Sequence, residues 1–424
     1  MTKKISLFYA WGSTNAGDHA LTLGAISLVR LVEPEAQISV VTRYSVDEPE
    51  HAITQQKLYD FDSRLTVVAS PFRGSNDSTF SRIRRVFSGG FQSSLALLAP
   101  SLSRFLFRNN PAYKAMIESD WSLQNGGNLY YWNSHRKSLS RLAAFALPLK
   151  IAMSAGKKAG LLPQTVGKLE DRTGRWFAKF IATTNFVLFR DSSSRTNLTA
   201  ATNKQTAMDT CPDLVYFLTS SGEHCKIEEI KAPEEFIAIT LRDESLGDYG
   251  VADYEEDKAA TRARILDLFP QALTEIKKQC PLPIVIVVQV KRDAEISELL
   301  RKDLLERGFD VSIVECYDPV SLINFYANAK ILIAMRLHSQ IFALNSGTPS
   351  VALWRERLGT KIPSMMSDLD CADYCLNFDK TTGEDLTKTI DKLIQNSDEV
   401  SKKCDRLLSE RKQKTLDFLG AHFK

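Results

Sequence analysis

The hydrophobic residues of this chain fall into short continuous runs that alternate with longer stretches in which apolar positions recur every three or four residues. The short runs are typical of buried strands, and the longer stretches are typical of amphipathic helices. In the first half the pattern predicts strands at 5–10, 38–42, 65–69, 161–166 and 186–189, and helices at 20–32, 141–153, 176–183 and 192–198. Strands that alternate with helices predict a parallel sheet covered by helices.

The second half repeats this alternation with clearer helix ends. It predicts strands at 236–241, 283–290, 311–314, 331–335 and 350–354, helices at 261–279, 295–307, 319–329 and 339–345, and a charged helical region from 385 onwards. Asp318 and Pro319 are typical of the start of a helix, and Gly308 is typical of the position that follows one. The polar segment 219–235 has the composition of an interdomain linker.

Two successive α/β halves predict two facing Rossmann-like domains, a GT-B-like arrangement that sugar-transferring enzymes use, with a C-terminal helix. We expect an N-terminal domain at 1–218, a linker at 219–235, a C-terminal domain at 236–395 and the helix at 396–424. The length of 424 residues agrees with this division, because it exceeds what one ordinary hydrophobic core accommodates.

Composition and charge narrow the class of protein. Hydrophobic residues make up 44% and charged residues 25%, as in ordinary globular proteins, and a net charge of +3 does not indicate a general nucleic-acid surface. The seven cysteines are scattered. Cys371 and Cys375 lack the second pair or nearby histidine of a zinc pattern. We therefore predict no metal site, reduced thiols and a cytoplasmic location.

Two stretches bear on membranes. The apolar stretch 139–155 contains Arg141 and Lys150, and it is too short and too charged to span a bilayer. The stretch 82–108 has five arginines beside apolar residues. It can be interpreted as a peripheral contact with the inner face of an anionic membrane, or as an insertion packed on its own domain.

The strongest candidate for chemistry is the run from Arg336 through His338 to Ser339, which follows a predicted buried strand and precedes a predicted helix. Ligands of open parallel sheets bind at the carboxyl ends of strands, and a helix N-terminus favours anions. If the backbone stays extended, Arg336 and His338 leave the same face, and Ser339 can cap the helix. The alternative is a surface arginine and a structural histidine.

Two glycine-containing loops also follow predicted strands. The first runs from Trp11 to Asp18 and includes Asn15 and Gly17, and Asp18 can cap the next helix. It matches neither the dinucleotide fingerprint nor a phosphate-binding P-loop. The second contains Gly126, Gly127 and Asn128. Each loop suits close approach to a ligand, and each is equally compatible with an ordinary turn.

Two further arginines occupy analogous positions in the predicted domains. Arg242 follows the first strand of the second domain, and Arg190 follows the strand at 186–189 of the first. The carboxyl end of a parallel strand is where a ligand binds, so both are candidate ligand-binding residues. A surface arginine without a ligand is the alternative for each.

Taken in order along the chain, these motifs resemble the polysaccharide pyruvyl transferase family. The resemblance extends from about residue 5 to about residue 378. It is carried by the following motifs: Asn15-Ala16-Gly17-Asp18, Gly126-Gly127-Asn128-Leu129, Arg190-Asp191 with Ser194, Pro212-Asp213, Arg336-Leu337-His338 followed by Phe342-Ala343 and Gly347-Thr348-Pro349, and Lys361. The chain departs from the family pattern at Asn125, where a third glycine is usual, at 164–169, and in an apparent insertion at 75–110.

The resemblance implies phosphoenolpyruvate as the donor, with no cofactor, and a sugar of a cell-surface polysaccharide (exopolysaccharide) or its precursor, such as a lipid-linked saccharide, as the acceptor. Carried over, it places Arg336 and His338 at the donor, and His338, Arg336 and Asp18 are the candidate catalytic residues. Arg242, Arg336, His338, Ser339 and Lys361 are the candidate donor-binding residues. Asn15, Gly17, Asp18, Gly126, Gly127, Asn128 and Arg190 are the candidate acceptor-binding residues.

The hypothesis assigns the carboxylate and phosphate of the donor to Arg336 and Arg242, with Lys361 as a third cation. His338 is the candidate general acid or base, and Asp18 either accepts a hydroxyl proton or holds the sugar. Two alternatives remain open: a GT-B-type nucleotide-sugar glycosyltransferase, and a non-catalytic carbohydrate-binding protein.

Overall fold

Two parallel β-sheets, each with helices between its strands, organise the chain in this computed structural model. The structure describes residues 2–13, 15–70, 94–95, 97–106, 109–130, 138–169, 171–203, 206–218, 230–243 and 254–424. The contacts divide the chain into two units. The first comprises residues 1–13, 18–226 and 412–424, and the second comprises residues 14–17 and 227–411.

The sheet of the first unit has the strand order β3-β2-β1-β4-β6-β7-β8, with β5 paired to β6, and its described pairings are parallel. Its strands are β1 (Lys4–Ala10), β2 (Gln37–Thr42), β3 (Thr66–Val68), β4 (Trp121–Gln124), β5 (Gly127–Tyr130), β6 (Lys158–Val166), β7 (Phe186–Phe189) and β8 (Ala207–Thr210). The central strands are buried on both faces, which explains their continuous apolar sequence.

Helices connect these strands, and several begin at a side chain that binds a free backbone N–H. They are α1 (Ala16–Val32), α2 (Pro49–Phe61), α3 (Pro100–Leu106), α4 (Pro111–Glu118), α5 (Ser138–Ser154), α6 (Arg172–Ile181) and α7 (Ser192–Ala201). Asn110, Asp171 and Asp191 each accept such a hydrogen bond, which satisfies donors that a helix leaves unpaired at its start.

The sheet of the second unit has the order β11-β10-β9-β12-β13-β14, again with parallel pairings. Its strands are β9 (Phe236–Thr240), β10 (Ile284–Val288), β11 (Val311–Glu315), β12 (Ala329–Ala334), β13 (Ser350–Trp354) and β14 (Cys375–Asn377). Its helices are α8 (Tyr254–Gln279), α9 (Ala294–Glu306), α10 (Pro319–Tyr326), α11 (Leu337–Asn345), α12 (Lys361–Asp368), α13 (Gly383–Gln395) and α14 (Ser397–Phe423). The order is that of a doubly wound Rossmann sheet.

The end of α14 completes the core of the first unit. Phe423 packs on Trp121 and Phe186, with ring centroids 5.1 and 6.5 Å away, and it is 1% exposed. Phe418 meets Phe186 edge to face at 5.9 Å. The helix predicted at 396–424 is therefore present, but its residues from 412 onwards belong to the first unit.

Most predicted elements are confirmed, two of them (186–189 and 350–354) residue for residue. The helix predicted at 319–329 is wrong at its end, because it stops at Tyr326 and the chain enters β12 at Ala329. Sequence analysis missed α2, because its buried face consists of His51, Thr54 and Leu58 and so lacks an apolar pattern. The predicted linker falls largely on residues 219–229, which lie outside the described residues, so its limits remain a prediction.

The basic stretch at 82–108 is described only in part, because its residues up to 93 lie outside the described ranges. In the described part, Leu98 is 85% exposed and Phe105 is 65% exposed. Contact of this stretch with a membrane remains a prediction. Among the helices that the structure describes, none is long and apolar enough to cross a bilayer.

The stability of the first unit should depend on pH through His19, which is 2% exposed in α1. Burial lowers the pKa of His19 from 6.5 to about 3, and Lys57 contributes further. Because the folded-state pKa lies below the unfolded one, stability is full above pH 6.5 and is lost as the pH falls towards 3. We expect His19 to account for a loss of about 2 kcal/mol between pH 7 and pH 5.

Urea unfolding of the wild type and of His19→Gln at both pH values tests this expectation. The difference in unfolding free energy between pH 7 and pH 5 should shrink by that amount in the variant. Equal differences in the two proteins would contradict it.

Candidate functional site

Three sequence-predicted residues lie around the point where the second sheet reverses its strand order. The chain winds outward from β9 through β10 to β11, then returns to the other side of β9 as β12. Open parallel sheets form a ligand-binding crevice at the carboxyl ends of the two strands that flank such a point. Arg242 follows β9, and Arg336 and His338 follow β12. The topology therefore brings these three residues to the same edge of the sheet.

Arg336 is buried and is held by one carboxylate. Its Nε donates to Oδ2 of Asp293 at 2.5 Å, and its Nη2 donates to Oδ1 at 2.6 Å. The backbone N–H of Asp243, just after β9, also donates to Oδ1 of Asp293 at 3.1 Å. A bidentate pair fixes the plane of the guanidinium. Two of its three nitrogens are thereby occupied, and Nη1 makes no hydrogen bond to a described residue.

A second group of charges surrounds Asp243. Arg262 donates to both oxygens of Asp243, at 2.7 and 2.6 Å, and also to Glu295. Lys258 lies 3.5 Å from Asp243. The hydrogen bonds with Asp243 and Glu295 raise the pKa of Arg262, and the hydrogen bond with Arg262 lowers the pKa of Glu295. In the described part of the chain Asp293 compensates the charge of Arg336, so Arg336 brings fixed geometry to the site rather than uncompensated charge.

His338 is the second residue of α11 and lies against the segment 15–17, which belongs to the same unit. A β-carbon at Gly17 would lie 2.1 Å from Nδ1 of His338 and 2.5 Å from its Cγ. Asn15 pairs with Val290, just beyond β10, in an isolated antiparallel bridge. Gly17 and His338, which are 321 positions apart in the sequence, therefore meet, and only glycine at position 17 leaves room for the imidazole.

Three details of the predicted motifs are wrong. Arg336 has an extended backbone and His338 is helical, so they do not alternate along a strand. Ser339 does not cap α11, because the helix begins two residues earlier, at Leu337. Asp18 does not cap α1 either. That helix begins at Ala16, and the side chain of Asn15 accepts the N–H of Gly17 at 3.0 Å.

The other predicted donor-binding residues differ in their access to a ligand. Ser339 is fully buried, whereas Arg242 is partly exposed. Lys361 is the first residue of α12, which follows β13, the neighbour of β12 in the sheet. No side chain in the described ranges caps α11, so its N-terminus offers backbone N–H groups and a favourable dipole for an anion. Donor binding by these residues remains a prediction.

The glycine loop after β4 is tied to the end of β1 in the first unit. The amide of Asn125 donates to the carbonyl of Tyr9 and to Thr22 Oγ1, at 3.3 and 3.1 Å. Trp11 Nε1 donates to the carbonyl of Gly126 at 2.9 Å. Gly127 has φ +126°, and a β-carbon there would lie 3.2 Å from the indole of Trp11. Packing alone thus explains a glycine at 127, and binding of an acceptor by Gly126, Gly127 and Asn128 remains a prediction.

Arg190 belongs to a buried network that joins three motifs of the first unit. Its Nη1 lies 3.0 Å from Oδ2 of Asp213, and its Nε donates to Thr165. The neighbouring Asp191 caps α7 by accepting the N–H of Ser194 at 2.8 Å. These contacts give Arg190 a structural role, and its predicted role in acceptor binding is untested.

Comparison with known protein families identifies the family of this chain. The sequence model of the family described as polysaccharide pyruvyl transferase matches residues 15–357. The chain belongs to the polysaccharide pyruvyl transferase family. Comparison with curated proteins yields no significant match.

Solved structures show the fold that this pyruvyl transferase family member shares. The UDP-GlcNAc 2-epimerase of Neisseria meningitidis, bound to UDP-GlcNAc, has a TM-score of 0.58 and 12% identity, covering 99% of both chains. A UDP-glucosyltransferase of Polygonum tinctorium has a TM-score of 0.58 and 10% identity, covering 99% of this chain and 98% of its own. These neighbours are GT-B enzymes, so the predicted α/β fold of two Rossmann-like units is confirmed.

Sequence analysis of this family member missed the acidic residues of the site. Asp293 follows β10 in a short turn, Lys291–Asp293, and Asp243 follows β9. A carboxylate near the carboxyl end of a buried strand was the available signal, because that is also where the predicted arginines lie. The pairing partner of Arg336 could not be chosen from sequence, since both acidic residues occupy equivalent positions.

Replacing Asp293 should lower the urea concentration at which this pyruvyl transferase family member unfolds. Asp293→Ala leaves a buried guanidinium without its carboxylate, which costs about 3–5 kcal/mol. Glu295→Ala is the matched control, because Glu295 contacts Arg262 from a side chain that is 65% exposed, and its loss should change stability little. Urea unfolding measures both, and equal effects of the two variants would contradict the assignment.

Gly17→Ala should displace the imidazole of His338, because the added methyl group would overlap it. A glycine in a helix normally gains about 1 kcal/mol of stability on replacement by alanine. We expect that gain at Gly420→Ala, whose β-carbon meets nothing within 4 Å, and a loss of stability at Gly17→Ala. Urea unfolding compares them, and NMR of the histidine rings reports the movement. An unshifted His338 signal in Gly17→Ala would refute the contact.

Proposed function

We propose that the chain transfers the pyruvyl group of phosphoenolpyruvate onto two hydroxyls of one sugar, in a cell-surface polysaccharide or its precursor. The products are a cyclic ketal and inorganic phosphate. The observation that carries the proposal is the guanidinium of Arg336, which Asp293 holds at the strand-order reversal of the second sheet. It lies beside the start of α11, where no described side chain caps the helix. Family membership supports it.

Donor binding is assigned to the second unit. Phosphoenolpyruvate has a carboxylate and a phosphate on the same carbon, so it needs two groups of donors a short distance apart. Nη1 of Arg336 and the first N–H groups of α11 form one such group, and Arg242 supplies the other. Lys361 is a further candidate cation. Because Asp293 already orients Arg336, binding the donor would require little reordering of the arginine.

The chemistry is assigned chiefly to His338. The imidazolium donates a proton to the methylene carbon of phosphoenolpyruvate, and the central carbon then accepts the oxygen of one sugar hydroxyl, which loses its proton. The bond between that carbon and the phosphate oxygen breaks, and phosphate leaves with the electron pair. The second hydroxyl adds to the same carbon and loses its proton, which closes the ketal. Cationic groups at the phosphate stabilise the charge that develops on it.

Acceptor binding is assigned to the first unit and to the segment 14–17, which directly precedes Asp18. Asp18 lies in the first turn of α1, immediately after Gly17, and its carboxylate can accept hydrogen bonds from sugar hydroxyls. We assign it the holding of the acceptor rather than proton transfer. Asn15 already caps α1 with its side-chain oxygen, so its part in binding would fall to its amide nitrogen.

Variants of Arg336 and His338 should separate binding from chemistry. Arg336→Gln removes the positive charge and the Nη1 donor assigned to the donor anion, so we expect at least about tenfold weaker binding of phosphoenolpyruvate by calorimetry. His338→Ala should bind the donor within a few-fold of the wild type. Its release of phosphate in the presence of a glycan panel should fall about 10²–10⁴-fold, because a general acid is lost.

Arg301→Gln is the control, since the ion pair that Arg301 forms with Glu298, its partner among the described residues, lies within α9 and away from the strand ends. Unchanged phosphate release by His338→Ala would remove the proton-transfer role, and normal donor binding by Arg336→Gln would remove that residue from the site. Mass spectrometry of the glycans identifies the ketal as an added pyruvyl group.

A nucleotide-sugar glycosyltransferase is the second candidate, favoured by one observation: the similar folds include a UDP-glucosyltransferase and an enzyme with bound UDP-GlcNAc. The same calorimetry decides between them. Binding of UDP without binding of phosphoenolpyruvate supports the glycosyltransferase. Ketal formation excludes both it and a non-catalytic carbohydrate-binding protein.

A further inference from the structure

An arginine of the first unit lies among three aromatic rings at the carboxyl edge of the sheet. Arg43 follows β2 directly. Its guanidinium carbon is 5.8 Å from the ring centroid of Tyr9, 5.7 Å from that of Trp11 and 5.4 Å from that of Tyr44. Tyr9 and Trp11 are at the end of β1, the strand beside β2. The four side chains therefore come from adjacent strand ends.

The charge of Arg43 has no carboxylate partner among the described residues. Its side chain makes no ion pair or hydrogen bond with them, and its Nε is inaccessible to solvent without an acceptor. The buried arginines of both units differ in this respect. Arg190 pairs with Asp213, Arg336 with Asp293 and Arg355 with Asp379. A partly buried guanidinium without an acceptor is unfavourable, so an anion supplied by a ligand would stabilise it.

The backbone at this place is strained as well. Tyr9 has φ 68°, a conformation that non-glycine residues rarely adopt, and the pairing of β1 with β2 is irregular between Phe8 and Ala10. The irregularity turns the ring of Tyr9 against those of Trp11 and Phe145, at centroid distances of 5.2 and 4.4 Å. Strain of this kind persists where the surroundings enforce it, and it is concentrated at ligand sites.

The position of the cluster indicates its ligand. The first sheet reverses its strand order between β1 and β4, so its crevice opens beside the end of β1. Trp11 also binds the glycine loop after β4 through its indole N–H. Aromatic rings at such an edge can stack on the apolar face of a sugar, and a guanidinium binds phosphate or carboxylate oxygens bidentately.

We infer that Arg43, with Tyr9, Trp11 and Tyr44, forms a binding site for an anionic substituent of the acceptor saccharide. This inference rests on the proposed function, since it names the class of acceptor: a sugar that carries a phosphate or a carboxylate close to its ring. Arg43 binds the anion, and the aromatic side chains contact the sugar. Phosphoenolpyruvate is not the ligand of this site, because the donor belongs to Arg336 and Arg242 of the second unit.

Calorimetry with defined sugars tests the site without requiring catalysis. The probes are hexose 1-phosphates and hexuronic acids of gluco, galacto and manno configuration, the matching methyl hexosides, and inorganic phosphate. We expect the wild type to bind at least one charged sugar more than tenfold more tightly than its methyl hexoside or phosphate alone. Preference for hexose 1-phosphates identifies a phosphate-bearing acceptor, and preference for hexuronic acids identifies a carboxylate-bearing one.

Variants then assign this preference to Arg43. Arg43→Gln should weaken binding of the charged sugar about 10- to 100-fold and should leave binding of the methyl hexoside unchanged. Arg43→Lys should recover only part of the loss, because an ammonium cannot bind bidentately. Arg64→Gln is the matched control, since Arg64 lies in the same unit, has a 60% exposed side chain and pairs with Asp62. It should bind every probe as the wild type does.

Stability provides an independent readout. Replacing a buried, ion-paired arginine lowers the unfolding free energy by about 3–5 kcal/mol. Arg43→Gln should lower it by about 2 kcal/mol or less, because it removes cation–π contacts but also a charge that has no carboxylate among the described residues. A large loss of stability in Arg43→Gln would indicate a structural role and would overturn the inference.

The remaining outcomes separate this inference from the proposed function. Charged-sugar binding that depends on Arg43, without any ketal formed from phosphoenolpyruvate, would refute the proposed function and retain the site. Ketal formation on neutral sugars that is equally efficient in Arg43→Gln would refute the site and retain the function. Weaker binding of phosphoenolpyruvate in Arg43→Gln, or no binding of any charged sugar by the wild type, would also overturn the inference.

Discussion

A guanidinium can be buried in a protein only if an acceptor is buried with it, and the second unit depends on one such pair. Asp293, which follows β10, accepts hydrogen bonds from the guanidinium of Arg336, which follows β12. It also accepts one from the backbone N–H of Asp243, which follows β9. These three strands are neighbours in the sheet, in the order β10-β9-β12. One carboxylate therefore joins the strand ends on both sides of the reversal of strand order. The position of the proposed donor site follows from that constraint, because the crevice and the arginine are fixed by the same contacts.

The first unit also joins the ends of its strands by polar contacts, but with different residues. Asn125 and Trp11 join the ends of β1 and β4 by neutral hydrogen bonds, and Arg190 joins the ends of β6 and β7 to Asp213. Each unit thus binds its strand ends together before any ligand is present. Arg43 is the exception, because its side chain interacts with aromatic rings alone among the described residues. This difference from the ion-paired arginines, rather than its exposure or a sequence motif, is why we infer that Arg43 binds a ligand.

The fold could be predicted from the sequence because its strands are buried on both faces and therefore read as continuous apolar runs, as β7 and β13 do. The helix α2 could not, since its buried side chains include a histidine and a threonine. For the site, Arg336 and His338 were recognisable as polar residues that interrupt an apolar strand and helix. Asp293 and Arg43 were not, because their importance lies in what they contact or fail to contact. The contact of Gly17 with His338 joins residues more than 300 positions apart, which no local pattern encodes.

The packing of Phe418 and Phe423 against Phe186 has a consequence for how the protein is made. Synthesis proceeds from the N-terminus, so every strand of the first sheet emerges before α14 exists. Until residues 412–424 follow, Trp121 and Phe186 lack the rings that cover them. The unit translated first is thus completed last, and its nascent form leaves aromatic surface open to chaperones for as long as the rest of the chain takes to be translated.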